Sequence, residues 1–171
     1  MKKILCSAFL LLTLTAFSQK TYQEYYNLGH AKLDFNQDYK GAIQDLNKAI
    51  ELKSDYFEAF RDRGICKSEL KDYKGGLEDL DKAIELNAND YTAIVSRANT
   101  KLKTKDYPGA LEDYNKALEL KPGSYKMAET LNNKALAKFE LGDKTGACED
   151  WNKAGKAGNA DAYANIKKYC K

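Results

Sequence analysis

The sequence predicts an all-α fold, a solenoid of stacked helix-turn-helix units, and three observations carry that expectation. The chain aligns with itself at a fixed offset. DYKGAIQDLNKAIEL begins at Asp38, DYKGGLEDLDKAIEL at Asp72 and DYPGALEDYNKALEL at Asp106, 34 residues apart both times. Within each copy the apolar residues recur at helical spacing. Short polar breaks then separate the runs, at lengths that join antiparallel helices.

The first element is not part of the array. Met1-Lys2-Lys3 is followed by an apolar run from Ile4 to Phe17, with small residues at Ala16 and Ser18. This is the pattern of a secretory signal cleaved after Ser18. The 14-residue run is too short for a bilayer, which needs about 20 apolar residues. Cys6 precedes most of the run instead of following it, which argues against a lipoprotein signal. The expectation is an exported protein, periplasmic, envelope-associated or secreted, with no integral span after cleavage. Removing Lys2 and Lys3 lowers the basic count from 28 to 26 against 25 acids. A net charge near +1 with interleaved signs gives nucleic acid no basic face to meet. With 31% charged residues but only 11 glycines and two prolines, the remaining chain reads as folded.

The repeat units follow, each read as two helices. In the first copy, the second helix carries Tyr39, Ile43, Leu46, Ala49, Ile50 and Leu52 as one apolar stripe; the next copy repeats it as Tyr73, Leu77, Leu80, Ala83, Ile84 and Leu86. Asp38, Asp72, Asp106 and Asp143 stand just before these helices, where a short carboxylate accepts orphan backbone N–H groups. Small residues recur at one place in the first helix (Gly29, Gly64, Ala98, Ala135) and at the matching place in the second (Ala42, Gly76, Ala110, Ala147), which predicts a close backbone approach. Leu46, Leu80, Tyr114 and Trp151 then fill the space toward the next unit. The copies are not identical in length. The first has one extra residue between Gly29 and Ala42, and the fourth, DKTGACEDWNKAGKA from Asp143, arrives after 37 residues, with three extra around Gly123 to Lys126.

The last element is a helical segment from Ala160, with Ala162, Tyr163, Ile166 and Tyr169 on one face and lysines at its end. A solenoid needs such a terminal element over its last apolar face. The domain reading is therefore a signal at 1–18, repeats within 19–157 (22–56, 57–90, 91–124 and 128–158) and a capping helix at 159–171.

These motifs resemble the tetratricopeptide repeat, whose period is 34 residues. Tyr39, Tyr73 and Tyr107 match its second-helix tyrosine, Ala49, Ala83, Ala117 and Ala154 its later small position, and Pro122 its closing proline. Lys144 departs from the tyrosine in the fourth copy. The resemblance implies a right-handed superhelical solenoid that binds protein or extended peptide on the wall formed by the first helices. Its ligand-facing positions correspond here to Tyr26, Asn27, His30, Arg61, Asp62, Ile65, Val95, Ser96, Asn99, Asn132 and Asn133. One subtype is excluded. The clamp for chaperone C-termini needs lysines, asparagines and an arginine where this chain has Tyr26, His30, Asp62, Thr92 and Ser96.

The residues themselves offer little for catalysis. His30 is the single histidine, so no His-based triad or multi-histidine metal site can be assembled. No phosphate-loop motif occurs, and no cofactor, metal or catalytic residue is expected. The recurring Asp and Glu residues read as caps and solvated faces. Cys148 and Cys170 lie equally far from Asn159, so an antiparallel pair of helices can bring them together; a disulfide in an oxidising compartment is the expectation, and two free buried thiols the alternative. Cys66 aligns with Ala31, Thr100 and Ala137 and reads as a small packed residue. Two function classes remain: a protein- or peptide-binding adaptor using the first-helix wall, and a structural or self-assembling module that packs through its ends.

Overall fold

The computed structural model describes residues 20–170; the expected signal peptide lies outside them. Among the described residues nine α-helices run in order: α1 (Tyr22–Ala31), α2 (Tyr39–Leu52), α3 (Phe57–Glu69), α4 (Tyr73–Leu86), α5 (Tyr91–Lys103), α6 (Tyr107–Glu119), α7 (Ser124–Glu140), α8 (Lys144–Lys156) and α9 (Ala160–Tyr169). Among the described residues there are no strands. The helices pair as hairpins α1–α2, α3–α4, α5–α6 and α7–α8, with α9 packed on α8. The all-α solenoid expected from the sequence is the fold observed.

The two irregular copies are absorbed in different ways. The extra residue of the first copy becomes a π-helical turn, Lys32–Asn36, closed when Asp38 N–H donates to Lys32 O at 3.0 Å. A single inserted residue in a helix is accommodated by such a wider turn. The extra residues of the last copy lengthen α7 to 17 residues where α3 and α5 have 13. Tyr91 holds that added turn, its hydroxyl donating to Lys126 O at 2.8 Å.

All four hairpin turns use the same backbone device. Gln37, Lys71, Lys105 and Gly142 occupy equivalent places and all have positive φ, at 51°, 67°, 65° and 89°. The next residue is in each case the capping aspartate. Asp38, Asp72, Asp106 and Asp143 accept from the N–H of Gly41, Gly75, Gly109 and Gly146 at 2.8–3.0 Å. A Cβ on any of these four glycines would collide with the capping carboxylate, so D-x-x-G acts as one unit.

The small residues do bring backbones together. A Cβ on Gly64 would lie 2.9 Å from the carbonyl oxygen of Gly76 and 2.8 Å from Leu80 Cγ. Leu46, Leu80, Tyr114 and Trp151 are fully buried behind them. Each buried leucine contributes about 1.5–3 kcal/mol by removal from water.

The end of the array is closed by aromatic stacking and a covalent bond. Tyr169 of α9 stacks on Trp151 with ring centroids 5.6 Å apart and lies 4.5 Å from Phe139. Ala162 is buried beside them. Tyr163 departs from the expected buried face: it is 60% exposed, its ring passing over Gly155. Cys148 and Cys170 are disulfide-bonded, with Cα atoms 5.8 Å apart. Cys66 is a buried free thiol, and burial pushes its pKa up to about 12.

One sequence expectation is corrected. The acids of the second helices are not all caps and solvated faces: Asp79, Asp113 and Asp150 are at most 5% exposed. Arg63 grips Asp79 with two N–H groups at 2.8 and 2.6 Å while Lys67 adds a third contact at 2.8 Å. Arg97 and Lys101 repeat this on Asp113. The same arginines reach back to the preceding hairpin, Arg63 to Asn47 at 2.7 Å and Arg97 to Asp81 at 2.8 Å. A carboxylate is buried only when paired and hydrogen-bonded, and the planar guanidinium supplies the matching fork.

Candidate functional site

The first helices α1, α3, α5 and α7, followed by α9, stand side by side and form one wall. Side-chain hydrogen bonds tie each neighbour to the next. His30 of α1 donates from Nδ1 to Asp62 of α3 at 2.8 Å. Ser68 of α3 bonds Thr100 of α5 at 2.9 Å. Asn133 of α7 donates to Asn99 of α5 at 3.2 Å, and Asn165 of α9 to Asn132 of α7 at 3.1 Å. These ties connect residues 32–34 apart in sequence, one repeat length.

At the N-terminal end the ties form a charged knot. Arg61 donates to Asp62 at 2.8 Å, to Asp90 at 3.2 Å and to the Tyr26 hydroxyl at 3.2 Å. His30 stacks on Tyr26 with centroids 5.4 Å apart, and its Nε2 lies 3.3 Å from Asp34. Burial would lower the Arg61 pKa, but Asp62 and Asp90 more than offset it and hold the guanidinium charged. Burial, with Asp62 nearby, pushes the Tyr26 phenol well above its ordinary range. Nearer the C-terminal end the wall is neutral. Asn99 Oδ1 accepts from both Tyr114 Oη at 2.6 Å and Asn133.

Most of the sequence-selected wall residues are therefore brought together, but they face one another. Asp62 is 2% exposed and enclosed by His30 and Arg61. Val95 is buried in the core shared by the second and third hairpins. Ile65, Ser96 and Asn99 line a recess of about 50 Å³ with Ser68, Thr100 and Lys103, a volume on the scale of one or two water molecules. Asn132 and Asn133 bond each other at 3.3 Å. Asn27 alone is fully on the surface, where it accepts from Gln23 at 3.1 Å.

Sequence reasoning missed the partners Asp34, Ser68, Asp90, Thr100, Tyr114 and Asn165. A search for polar pairs one repeat apart finds Ser68–Thr100 and Asn132–Asn165. Tyr114 was assigned to the core, and it is there, yet its hydroxyl reaches the wall.

Among the described residues no group of three or more His, Cys, Asp or Glu side chains is placed to hold a metal ion. His30 contacts carboxylates and an aromatic ring, with no hydroxyl or thiol nucleophile among its bonds.

A family model described as the tetratricopeptide repeat matches residues 23–56 and 91–124. No curated protein matches the chain. Among solved structures, a crystal structure of MamA superposes with a TM-score of 0.73 at 22% identity, covering 83% of this chain and 81% of that one. MamA residues 41 to the end, from Desulfovibrio magneticus RS-1, gives 0.75 at 20% identity over 88% and 86%. The first tetratricopeptide domain of Spaghetti (RPAP3), bound to an HSP90 peptide, gives 0.66 at 19% identity over 71% and 94%. At these identities the likeness is one of fold.

Proposed function

We propose that this chain, a tetratricopeptide-like repeat protein of paired helices, is a structural or self-assembling module of the cell envelope that meets other proteins through its ends. The observation that carries this reading is the self-satisfied wall. The side chains that would read a ligand, Tyr26, His30, Arg61, Asp62 and Asn99, are each bonded to a neighbouring hairpin or to a residue that is. Opening them to a peptide would first break inter-hairpin ties, each worth about 1 kcal/mol and more where charged. Sedimentation velocity over a concentration series tests the reading. Reversible growth in mass with concentration is expected; a strictly monomeric protein at every concentration would overturn it.

A second reading, capture of an extended peptide along the wall, is supported by the asparagines. Asn99, Asn132 and Asn133 retain amide donors or acceptors beyond the bonds they make. The clamp residues for a chaperone C-terminus are absent, so the peptide in the Spaghetti structure is not the ligand this reading implies. Binding of extended peptides by the wild-type chain, lost in Asn99→Ala without loss of stability, would favour it.

The organisation that goes with either reading is four repeats and one capping helix behind an export signal. Among the described residues no helix is long and apolar enough to cross a membrane. The exported form is expected to begin at Gln19 on N-terminal sequencing. A retained Met1 in protein recovered from the cytosol would remove the export proposal.

A further inference from the structure

We infer that copies of this chain associate head to tail, the first hairpin of one against the C-terminal helix of the next. The inference rests on the self-assembly reading and names its surfaces and sense.

Charge is the first observation. The signs alternate locally, but they are unequal between the two halves of the array. Residues 20–90 carry 11 lysines and arginines against 15 acids, a net of −4; residues 91–170 carry 14 against 10, a net of +4. Because the array runs linearly, with each helix packed mainly on its sequence neighbours, this imbalance in sequence is an imbalance in space. The array has an acidic N-terminal half and a basic C-terminal half, with a net of −1 over the first hairpin (20–52) and −3 over 53–90. Two acidic halves repel, two basic halves repel, and unlike halves attract.

The second observation is where apolar surface is left in water. Among the described residues seven large hydrophobic side chains are exposed, and they crowd toward the ends. The first hairpin has three, Leu28, Phe35 and Leu52, and Phe35 is 85% exposed. The third hairpin has none. The C-terminal helix presents Tyr163 beside Lys167 and Lys168. Leu28 is informative because its place in the next two hairpins holds Arg63 and Arg97, the residues that reach back to the hairpin before. In the first hairpin that place is apolar and 39% exposed.

A contact between unlike ends is heterologous, so each association leaves a free head and a free tail. Growth is then open-ended unless the rotation between copies closes a ring. Exposed charges more than a Debye length apart are screened, so the attraction weakens as salt shortens that length from about 10 Å at 0.1 M to 3 Å at 1 M.

The test is sedimentation velocity on the protein as the cell processes it, at low and high salt, with two charge-reversed variants. Asp34→Lys with Glu51→Lys alters the head; Lys167→Glu with Lys168→Glu alters the tail. The apparent dissociation constant of the wild type is expected to rise about tenfold or more from 0.05 to 0.5 M salt. Each variant alone is expected to stay monomeric, and an equimolar mixture of the two to associate again, through the unaltered head of one on the unaltered tail of the other and through the reversed pair. Phe35→Ser, at an exposed site that leaves folding intact, is expected to weaken assembly by a comparable factor. Association unchanged in all three variants, with far-ultraviolet circular dichroism showing them folded, would overturn the head-to-tail surfaces while leaving self-assembly standing. Absence of any association in the wild type would overturn both.

Discussion

In the second and third hairpins Asp79 and Asp113 are each held by a two-pronged arginine and a lysine, and the arginine continues into the preceding hairpin. In the fourth, Asp150 faces three lysines and no arginine: Lys138 at 2.7 Å, Lys153 at 3.7 Å and Lys134 at 3.8 Å. Burial lowers the Lys134 pKa, Asp150 opposes the shift, and Lys138 and Lys153 add to it. The buried Trp151 Nε1–H has no acceptor among the described residues, where Tyr114 in the preceding hairpin bonds Asn99. What the last hairpin lacks in polar pairing it receives from the Cys148–Cys170 bond and the Phe139–Trp151–Tyr169 cluster. The comparison teaches that one architectural slot admits two closures. The second and third hairpins use forked hydrogen bonds that also bind a neighbour; the fourth, covered by α9, uses covalent and aromatic closure.

The largest expected effect breaks the interior side of this comparison. Asp113→Ala leaves the half-buried Lys101 without its carboxylate and Arg97 with Asp81 alone, and is expected to cost about 3 kcal/mol. Urea unfolding should show it. A loss under about 1 kcal/mol would mean the fork is dispensable.

The next prediction breaks the terminal side. The disulfide closes a loop with a sequence separation of 22 residues, for which chain entropy gives about 3 kcal/mol. Reduction, or Cys148→Ser, is expected to accelerate amide exchange over 146–170 while α1–α6 stay protected, since repeat stability is nearly a nearest-neighbour sum. Uniform acceleration along the chain would show that the array unfolds as one unit.

Alkaline pH sharpens the contrast from the other end. Burial raises Cys66 from 9.0 to about 12 and carries Tyr26 and Tyr114 upward from 10.0. A raised folded pKa favours the protonated form, so its stabilisation is complete below the unfolded value and is lost as pH climbs toward the folded one. All three groups lie in the first three hairpins. Those hairpins should lose stability from about pH 9 upward, and Cys66→Ala should flatten the thiol's share of the slope. Cys66 should also resist thiol reagents at pH 8 in the folded protein.

The smallest effect concerns the shared turn. Gly142 fills without strain the positive-φ place that Lys71 and Lys105 occupy. Lys105→Gly is expected to stabilise the third hairpin by about 1 kcal/mol, and Gly142→Lys to weaken the fourth by a similar amount. Thermal melts of the two variants should shift in opposite directions.

Much of the fold was legible because it is written in periods. The 34-residue offset, the aspartate caps and the facing small residues follow from spacing alone, and spacing made the Cys148–Cys170 pairing one of two readings. The single inserted residue was visible too, although not its form as a π-helical turn. The buried carboxylates were not read. An aspartate on an otherwise polar stretch looks solvated, and burial depends on a partner from another helix. The signal was nevertheless present: Arg63, Arg97 and Lys134 each stand 16 residues before a recurring aspartate, with Lys67, Lys101 and Lys138 at 12. The hydrogen bonds along the wall went unread for the same reason. Position within a repeat tells which side chains share a face, but not whether they bond a visitor or one another.

That distinction is the central claim, and Asp62 tests it most directly. It was selected from the sequence as facing a ligand, yet it is buried between His30 and Arg61. Urea unfolding of Asp62→Ala against wild type should show a loss of about 3 kcal/mol, because two hairpins lose their tie and Arg61 keeps only Asp90 of its two counter-charges. Residues set aside for ligands commonly cost a protein stability, so their replacement is neutral or stabilising. Unchanged or increased stability in Asp62→Ala would contradict the account and return the wall to a binding role.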